Sequence, residues 1–255
     1  PIEVFRVDGL GENKSNIAEA RKIVGLLKEF FANRRNNETV GIITFNSSQR
    51  DLISDVLDDE CASDPSFGKA VNDEMRRFDN GEDVGLFIKN IESVQGDERD
   101  VIMFSVGYAK NSDGKLMQRF GWLNNRGGEN RLNVAISRAK KKILIVTSFE
   151  PEDLQVDNMK NDGPRILKKY LQYARAISDG NKDMADSILR SFGDERWETP
   201  DEIGSSRISD RVYNALTRKG YTVEKNVGIG GYHIDLAVKQ NNRYILGIEC
   251  DSHLY

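Results

Sequence analysis

Apolar positions in this chain gather into three short continuous runs, at 40–45 (VGIITF), 101–106 (VIMFSV) and 143–146 (ILIV), each bounded by polar residues. Unbroken runs of this length are expected of strands buried on both faces of a parallel sheet. Ahead of them, residues 2–7 alternate as a half-buried strand. Ser15 then stands as a cap before a helix carrying Ile17, Ala20, Ile23, Val24 and Leu27 at helical spacing. A second helix is expected over about 47–57, followed by a polar stretch. Helical pattern recurs between the second and third runs, and Ile166, Leu167, Tyr170, Leu171 and Ala174 predict a closing helix. Strands alternating with helices in this way predict a doubly wound α/β sheet.

Residues 178–206 are rich in Asp, Asn, Gly and Glu and read as a linker with one short helix around Ile188. From Arg207 the pattern changes to an amphipathic helix (Val212, Leu216) and strands near Tyr221, Ile234 and Ile245, the opening of an α+β unit. The expected organisation is a domain over 1–178, a linker over 179–205 and a partial second domain over 206–255.

Length allows more than one domain. Charge is nearly balanced, 37 Lys+Arg against 41 Asp+Glu, so nucleic-acid binding has to be local rather than carried by a global basic field. Cys61 and Cys250 lie too far apart for a disulfide framework or a metal knuckle. With no signal-like N-terminus and no membrane-length apolar run, a cytoplasmic, reducing location is expected.

Three segments carry candidate chemistry. In GIITFNSSQR (41–50) a buried strand enters a polar turn and a helix, and ligands of open α/β sheets sit at the carboxyl ends of strands. Arg50 opposes the helix dipole unless an anion lies nearby, so it is either a phosphate contact or a solvated surface arginine. In SVQGDERD (93–100), ahead of the second run, Gly96 permits close backbone approach, Gln95 donates and accepts, and Glu98 accepts from hydroxyls. A charged turn capping a strand is the plainer alternative. In RLNVAISRAK (131–140), Leu132, Ala135, Ile136 and Ala139 follow a helical core face with Arg131 and Arg138 on an adjacent stripe, and Lys140, Lys141 and Lys142 suit a helix C-terminus.

GIITFNSSQR, ESVQGDERDVIMFS and RLNVAISRAKKKILIV together resemble motifs IV, V and VI of superfamily 1 helicases, in the Upf-like branch; the resemblance spans about 1–175. It implies a RecA-like domain, the C-terminal one of two, with ATP bound between them. It also implies that Arg50 and Arg138 reach the γ-phosphate, and that Gln49, Gln95, Gly96 and Glu98 line the nucleotide. Arginine suits that role, because its planar, permanently charged fork stabilises transferring phosphoryl oxygens. Ser137 replaces a frequent threonine, and Asp97 a frequent basic residue. No G-x-x-x-x-G-K-[ST] occurs, so the first RecA-like domain is expected upstream of Pro1, and the chain alone is expected to be inactive.

In the C-terminal segment, alternation places Ile234, Leu236 and Val238 on one strand face and His233 and Asp235 on the other. The next strand sets Leu246, Ile248 and Cys250 against Glu249 and Asp251. A hairpin over 239–243 would bring Asp235, Glu249 and Asp251 together, which suits a hard divalent metal, or is simply an acidic surface. The segment YTVEKNVGIGGYHIDLAV...YILGIECD resembles Vsr-like PD-(D/E)XK nucleases of restriction-endonuclease-like fold. That resemblance implies Asp235 and Glu249 as Mg²⁺ ligands, with Asp210 a weaker match. Asp251 stands at the usual lysine and Ser252 at a frequent glycine.

The expected function is the C-terminal part of an ATP-dependent DNA helicase or helicase-nuclease using ATP and Mg²⁺, with DNA as partner and RNA the other nucleic acid in view. The competing expectation is a non-catalytic nucleic-acid-binding or regulatory module. A dinucleotide oxidoreductase is disfavoured, since GIGGYH lacks the G-x-G-x-x-G spacing.

Overall fold

The computed structural model describes residues 1–11, 15–34, 36–116, 120–194, 202–229, 232–241 and 243–250. The chain divides into two compact units, Pro1–Ala185 and Asp186–Tyr255.

The first unit is a five-stranded sheet of β1 (Ile2–Arg6), β2 (Val40–Thr44), β5 (Phe87–Asn90), β6 (Arg99–Ser105) and β7 (Ala139–Thr147). Its order is β1-β7-β6-β2-β5 and every pairing is parallel. Helices α1 (Ile17–Asn33), α2 (Ser47–Ser63), α3 (Pro65–Met75), α4 (Gly128–Ile136) and α5 (Gly163–Ser178) surround it. This is the α/β arrangement the alternation predicts, and the RecA-like one the resemblance implies.

The continuous runs build two cores because successive side chains of a strand point to opposite faces. Ile43, Ile102, Phe104, Ile143 and Ile145 pack with Leu132, Ala135, Leu167 and Leu171 on one side. Val40, Ile42, Val101, Met103, Leu144 and Val146 pack with Ile23, Leu27, Ile53 and Leu57 on the other. Every residue of β2 is buried, so neither face could carry the polar half of an alternating pattern.

Several local expectations change. The cap of α1 is Asn16 rather than Ser15: its side chain accepts from the Ala18 and Glu19 N–H groups. The polar stretch after α2 holds α3, whose cap Asp64 accepts from the Ser66 and Phe67 N–H groups. It also holds a hairpin of β3 (Phe78–Asp79) and β4 (Glu82–Asp83), turned at Asn80 and Gly81, both with positive φ. The helix of the third segment stops at Ile136, so Ala139 and Lys140 to Lys142 belong to β7. The Arg99 N–H donates to Arg138 O at 3.0 Å, and sheet pairing overrides the helical period there. The three lysines consequently meet acids across the sheet: Lys141 with Asp100 (3.1 Å) and Lys142 with Glu3 (2.7 Å).

In the second unit α7 (Glu202–Arg218) accompanies an antiparallel sheet of β8 (Thr222–Ile229), β9 (Tyr232–Gln240) and β10 (Arg243–Ile248), in the order β10-β9-β8. This small α+β unit is consistent with a restriction-endonuclease-like piece. Leu236 and Val238 are buried as expected, but so is Ala237, while Ile234 and Leu246 are exposed. Leu246 departs from expectation because β10 is an edge strand whose register shifts between Tyr244 and Leu246. Helix α6 (Lys182–Asp194) occupies much of the stretch expected as linker. Among the described residues no helix is long and apolar enough to cross a membrane.

Candidate functional site

The loop between β5 and β6 has to return from the carboxyl edge of the sheet to its amino edge, because its two flanking strands are parallel. It leaves the carboxyl edge where the Ile91 N–H donates to Thr44 O (2.8 Å). Ile91 and Val94 are buried as it crosses, and Gln95, Gly96 and Glu98 emerge just before β6, none of them buried. Gly96 has φ +89°, and a Cβ there would meet nothing within 4 Å. The left-handed backbone, rather than a close approach, is what requires glycine.

Arg138 stands at the same edge, two residues beyond α4. Its Nε donates to Val134 O (2.8 Å), a terminal nitrogen donates to Ser137 Oγ (3.0 Å), and its guanidinium lies 3.8 Å from Glu98. Lys140 reaches the same carboxylate at 3.7 Å. The amino edge therefore unites Gln95, Gly96, Glu98 and Arg138, as a carboxylate facing a fork of cationic donors.

A residue that sequence reasoning passed over holds this loop in place. Arg99 is 4% exposed. Its side chain donates to Gly85 O and to Glu98 O, both at 2.8 Å, and lies over the Phe87 ring at 5.0 Å. Burial pulls its pKa down, opposed by Asp83, Asp97 and Glu74. Asp97, where a basic residue is frequent, pairs with Lys89 at 2.6 Å. Asp100 sits below the ordinary carboxylate range: burial pushes it up, but the Thr39 N–H and Lys141 outweigh that. A buried arginine at the first position of a strand leaves no periodic trace in the sequence.

The structure does not bring Gln49 and Arg50 to this edge. Both lie in the first turn of α2, directly after β2, at the carboxyl edge. Between the two edges run the seven residues of β6, about 20 Å at ~3.3 Å per residue. Arg50 is engaged with its neighbour Asp51 at 2.6 Å. Gln49 is fully buried. Its amide nitrogen donates to Asn16 O (3.1 Å) and Ser105 Oγ (3.0 Å), and its oxygen accepts from Asn16 N (2.7 Å). Gln49 is thus committed to the interior, and Arg50 stands at the opposite sheet edge from Arg138.

Gln49 belongs to a buried polar hub that the sequence did not disclose. Glu19, fully buried, accepts from Gly107 N (2.7 Å) and Ser105 Oγ (2.8 Å). The Asn16 amide nitrogen donates to Glu19 (3.3 Å) and to Ser148 Oγ (2.5 Å). Burial pushes the Glu19 carboxyl up from 4.5 to about 7, against the lowering pull of the bonds from Gly107, Ser105 and Ser148. The hub ties together the start of α1, the start of α2 and the ends of β6 and β7. Its only trace in the sequence is an acid three residues after an asparagine cap.

In the second unit, Ile248 pairs with Leu236, so the next positions in that register set Glu249 opposite Asp235. Glu249 is exposed, and Asp235 accepts from the Cys250 N–H at 2.6 Å. Asp210 is engaged elsewhere, with Lys225 at 2.5 Å. Asp251, Ser252 and the His233 side chain lie outside the described residues. Among those described, no group of three or more His, Cys, Asp or Glu is placed to hold a metal.

A five-stranded parallel sheet flanked by helices, with a carboxylate and an arginine meeting at one edge, defines the general class, an α/β domain of RecA-like arrangement. Residues 5–150, more than half of the chain, match the AAA domain family (AAA_12), and the chain belongs to that family. Residues 209–255 match a second model, REase_MTES_1575. The chain is 32% identical, over 95% of its length, to an uncharacterized ATP-dependent helicase of Mycoplasma genitalium, covering 21% of that protein. It is 28% identical, over 64% of its length, to a Saccharomyces cerevisiae protein named provisionally as an ATP-dependent RNA helicase, covering 14% of it. The chain thus spans about a fifth or less of these relatives. A solved C-terminal domain of a possible DNA helicase from Lactobacillus plantarum WCFS1 overlaps 62% of this chain and 81% of its own at 17% identity and TM-score 0.35, a likeness too slight to bear on the fold.

Proposed function

We propose that this chain is the motif V and VI half of an ATP-dependent helicase, whose amino edge meets a nucleotide held by another RecA-like domain of the complete protein. The observation that carries the reading is the meeting of Glu98 and Arg138, from separate elements, 3.8 Å apart at one sheet edge. In this role Arg138 leaves Glu98 for the γ-phosphate and stabilises charge that develops on its oxygens, while Glu98 accepts from ribose hydroxyls. Arg99 and the left-handed Gly96 hold the loop, so that Glu98 needs little reordering. The names of the relatives support ATP and nucleic acid as ligands, with DNA the partner proposed and RNA the other arm of any binding assay. Mg²⁺ accompanies ATP in such chemistry, but the described residues offer it no ligand set.

The test is kinetic, in the complete protein. Arg138→Ala should lower kcat by about 10³-fold or more while nucleotide affinity changes little, since the guanidinium acts on transition-state charge. Lys141→Ala, whose ammonium is tied to Asp100 and Glu38, should stay near wild type. An unchanged kcat in Arg138→Ala would leave the non-catalytic module as the better reading.

For the second unit, the restriction-endonuclease-type match and the opposed Asp235 and Glu249 favour a metal-dependent nuclease. Two carboxylates, one of them bonded to a backbone N–H, do not make that centre by themselves.

A further inference from the structure

Trp122 is 48% exposed, although it sits on a turn that is otherwise rigidly held. The short 3-10 turn Gly121–Asn124 plants Leu123, 1% exposed, in the core beside Leu132. The Leu123 carbonyl is clasped by two glycines: a Cβ at Gly128 would fall 2.3 Å from it, and one at Gly163 2.0 Å. Asn161 donates to Asn124 O at 2.5 Å. The indole is therefore presented on a fixed backbone.

Arg131, in the first turn of α4, lays its guanidinium over that indole at 5.1 Å. This is the only interaction of its side chain among the described residues. Arg138, Arg165 and Arg175 all have carboxylate partners. An exposed aromatic face beside an unneutralised cation matches a ligand that is both planar and anionic. Arg131 lies in the first turn of α4 and Arg138 two residues beyond its last, and the stretch from Arg131 to Ile136 alone advances about 7 Å along the axis at ~1.5 Å per residue. The pair is thus separate from the nucleotide edge.

We infer that Trp122 and Arg131 form a stacking platform for a base of single-stranded nucleic acid, the indole taking the base and Arg131 the adjoining phosphate. The inference rests on the helicase reading for its ligand class. Free adenine nucleotide offers the same chemistry, and the assay separates the two sources.

The experiment uses the complete protein with labelled oligo-dT and oligo-rU of about 20 nucleotides, AMP in a parallel titration, and ATPase without nucleic acid as control. Trp122→Ala should weaken oligonucleotide binding roughly 5- to 150-fold, as expected for loss of one base stack. Trp122→Phe should keep most of the affinity, Arg131→Gln should weaken binding and flatten its salt dependence, and basal ATPase should hold in all three. In the 1–255 chain carrying Trp197→Phe, where Trp122 is the remaining tryptophan, the oligonucleotide should quench Trp122 fluorescence and AMP should not. Wild-type binding matched within twofold by Trp122→Ala, or quenching by AMP alone, overturns the platform while leaving the helicase reading intact. Absence of oligonucleotide binding by the wild type overturns both.

Discussion

Replacing Glu19 by Gln offers a quantitative test of the hub at the carboxyl edge. The folded carboxyl titrates at about 7 against an ordinary 4.5. Between those values the folded chain keeps a proton that the unfolded chain has released. Stability from this group is therefore fully present below pH 4.5 and is lost as pH rises through 7. At ~1.4 kcal/mol per pH unit the loss is about 3 kcal/mol. The amide cannot titrate, so Glu19→Gln should flatten the profile across that window. It should also carry a constant cost, because an amide nitrogen would face a donating group of the hub, about 1–3 kcal/mol for a mispaired buried group. Urea unfolding of the 1–255 chain at pH 5, 6, 7 and 8, followed by Trp122 fluorescence in a Trp197→Phe background, reports the first unit. Carboxylates held low, such as Asp100 and Asp153, lose their contribution only below the window. Parallel profiles for the wild type and Glu19→Gln, or a wild type whose stability rises from pH 5 to 7, would show that Glu19 does not hold its proton in the folded chain.

Arg99→Met should keep the apolar contact with Phe87 but release Glu98 O and Gly85 O; in the complete protein nucleotide affinity should fall severalfold while Arg138→Ala leaves it nearly unchanged, which equilibrium titration with a fluorescent nucleotide can check. Asp235→Ala in the complete protein should abolish any Mg²⁺- or Mn²⁺-dependent DNA cleavage without touching ATPase; cleavage that survives would mark the Asp235 and Glu249 pair as plain surface. Leu132→Ala, at a fully buried position, should destabilise the first unit by about 2–5 kcal/mol in the same urea assay.

The sheet was legible because its central strands are buried on both faces, which leaves continuous apolar runs at 40–45, 101–106 and 143–146. Short β5 and the β3–β4 hairpin carry too few apolar residues to announce themselves, although Asn80-Gly81 is a recognisable turn pair. Helix α3 hid in a polar stretch despite the Asp64-Pro65 start. Ala139 to Lys142 kept helical spacing yet joined β7, because pairing with β6 outweighs local period. At the site, the resemblance supplied Glu98 and Arg138, which the fold does bring together. The turn after β2 opens on the other edge, which sets Arg50 apart from them; edge is a property of topology, not of motif spacing. Arg99, Glu19 and Asn16 act through burial, which no single position reveals.

The proposed function sets Arg138, and not Arg50, against the transferring phosphoryl group. The most direct measurement is trapping of ADP with aluminium fluoride, a mimic of the phosphoryl transition state, by the complete protein. Arg138→Ala should lose stable trapping while still binding ADP, and Arg50→Ala should trap as the wild type does. Trapping that survives in Arg138→Ala but fails in Arg50→Ala would place Arg50, and not Arg138, at the phosphoryl group.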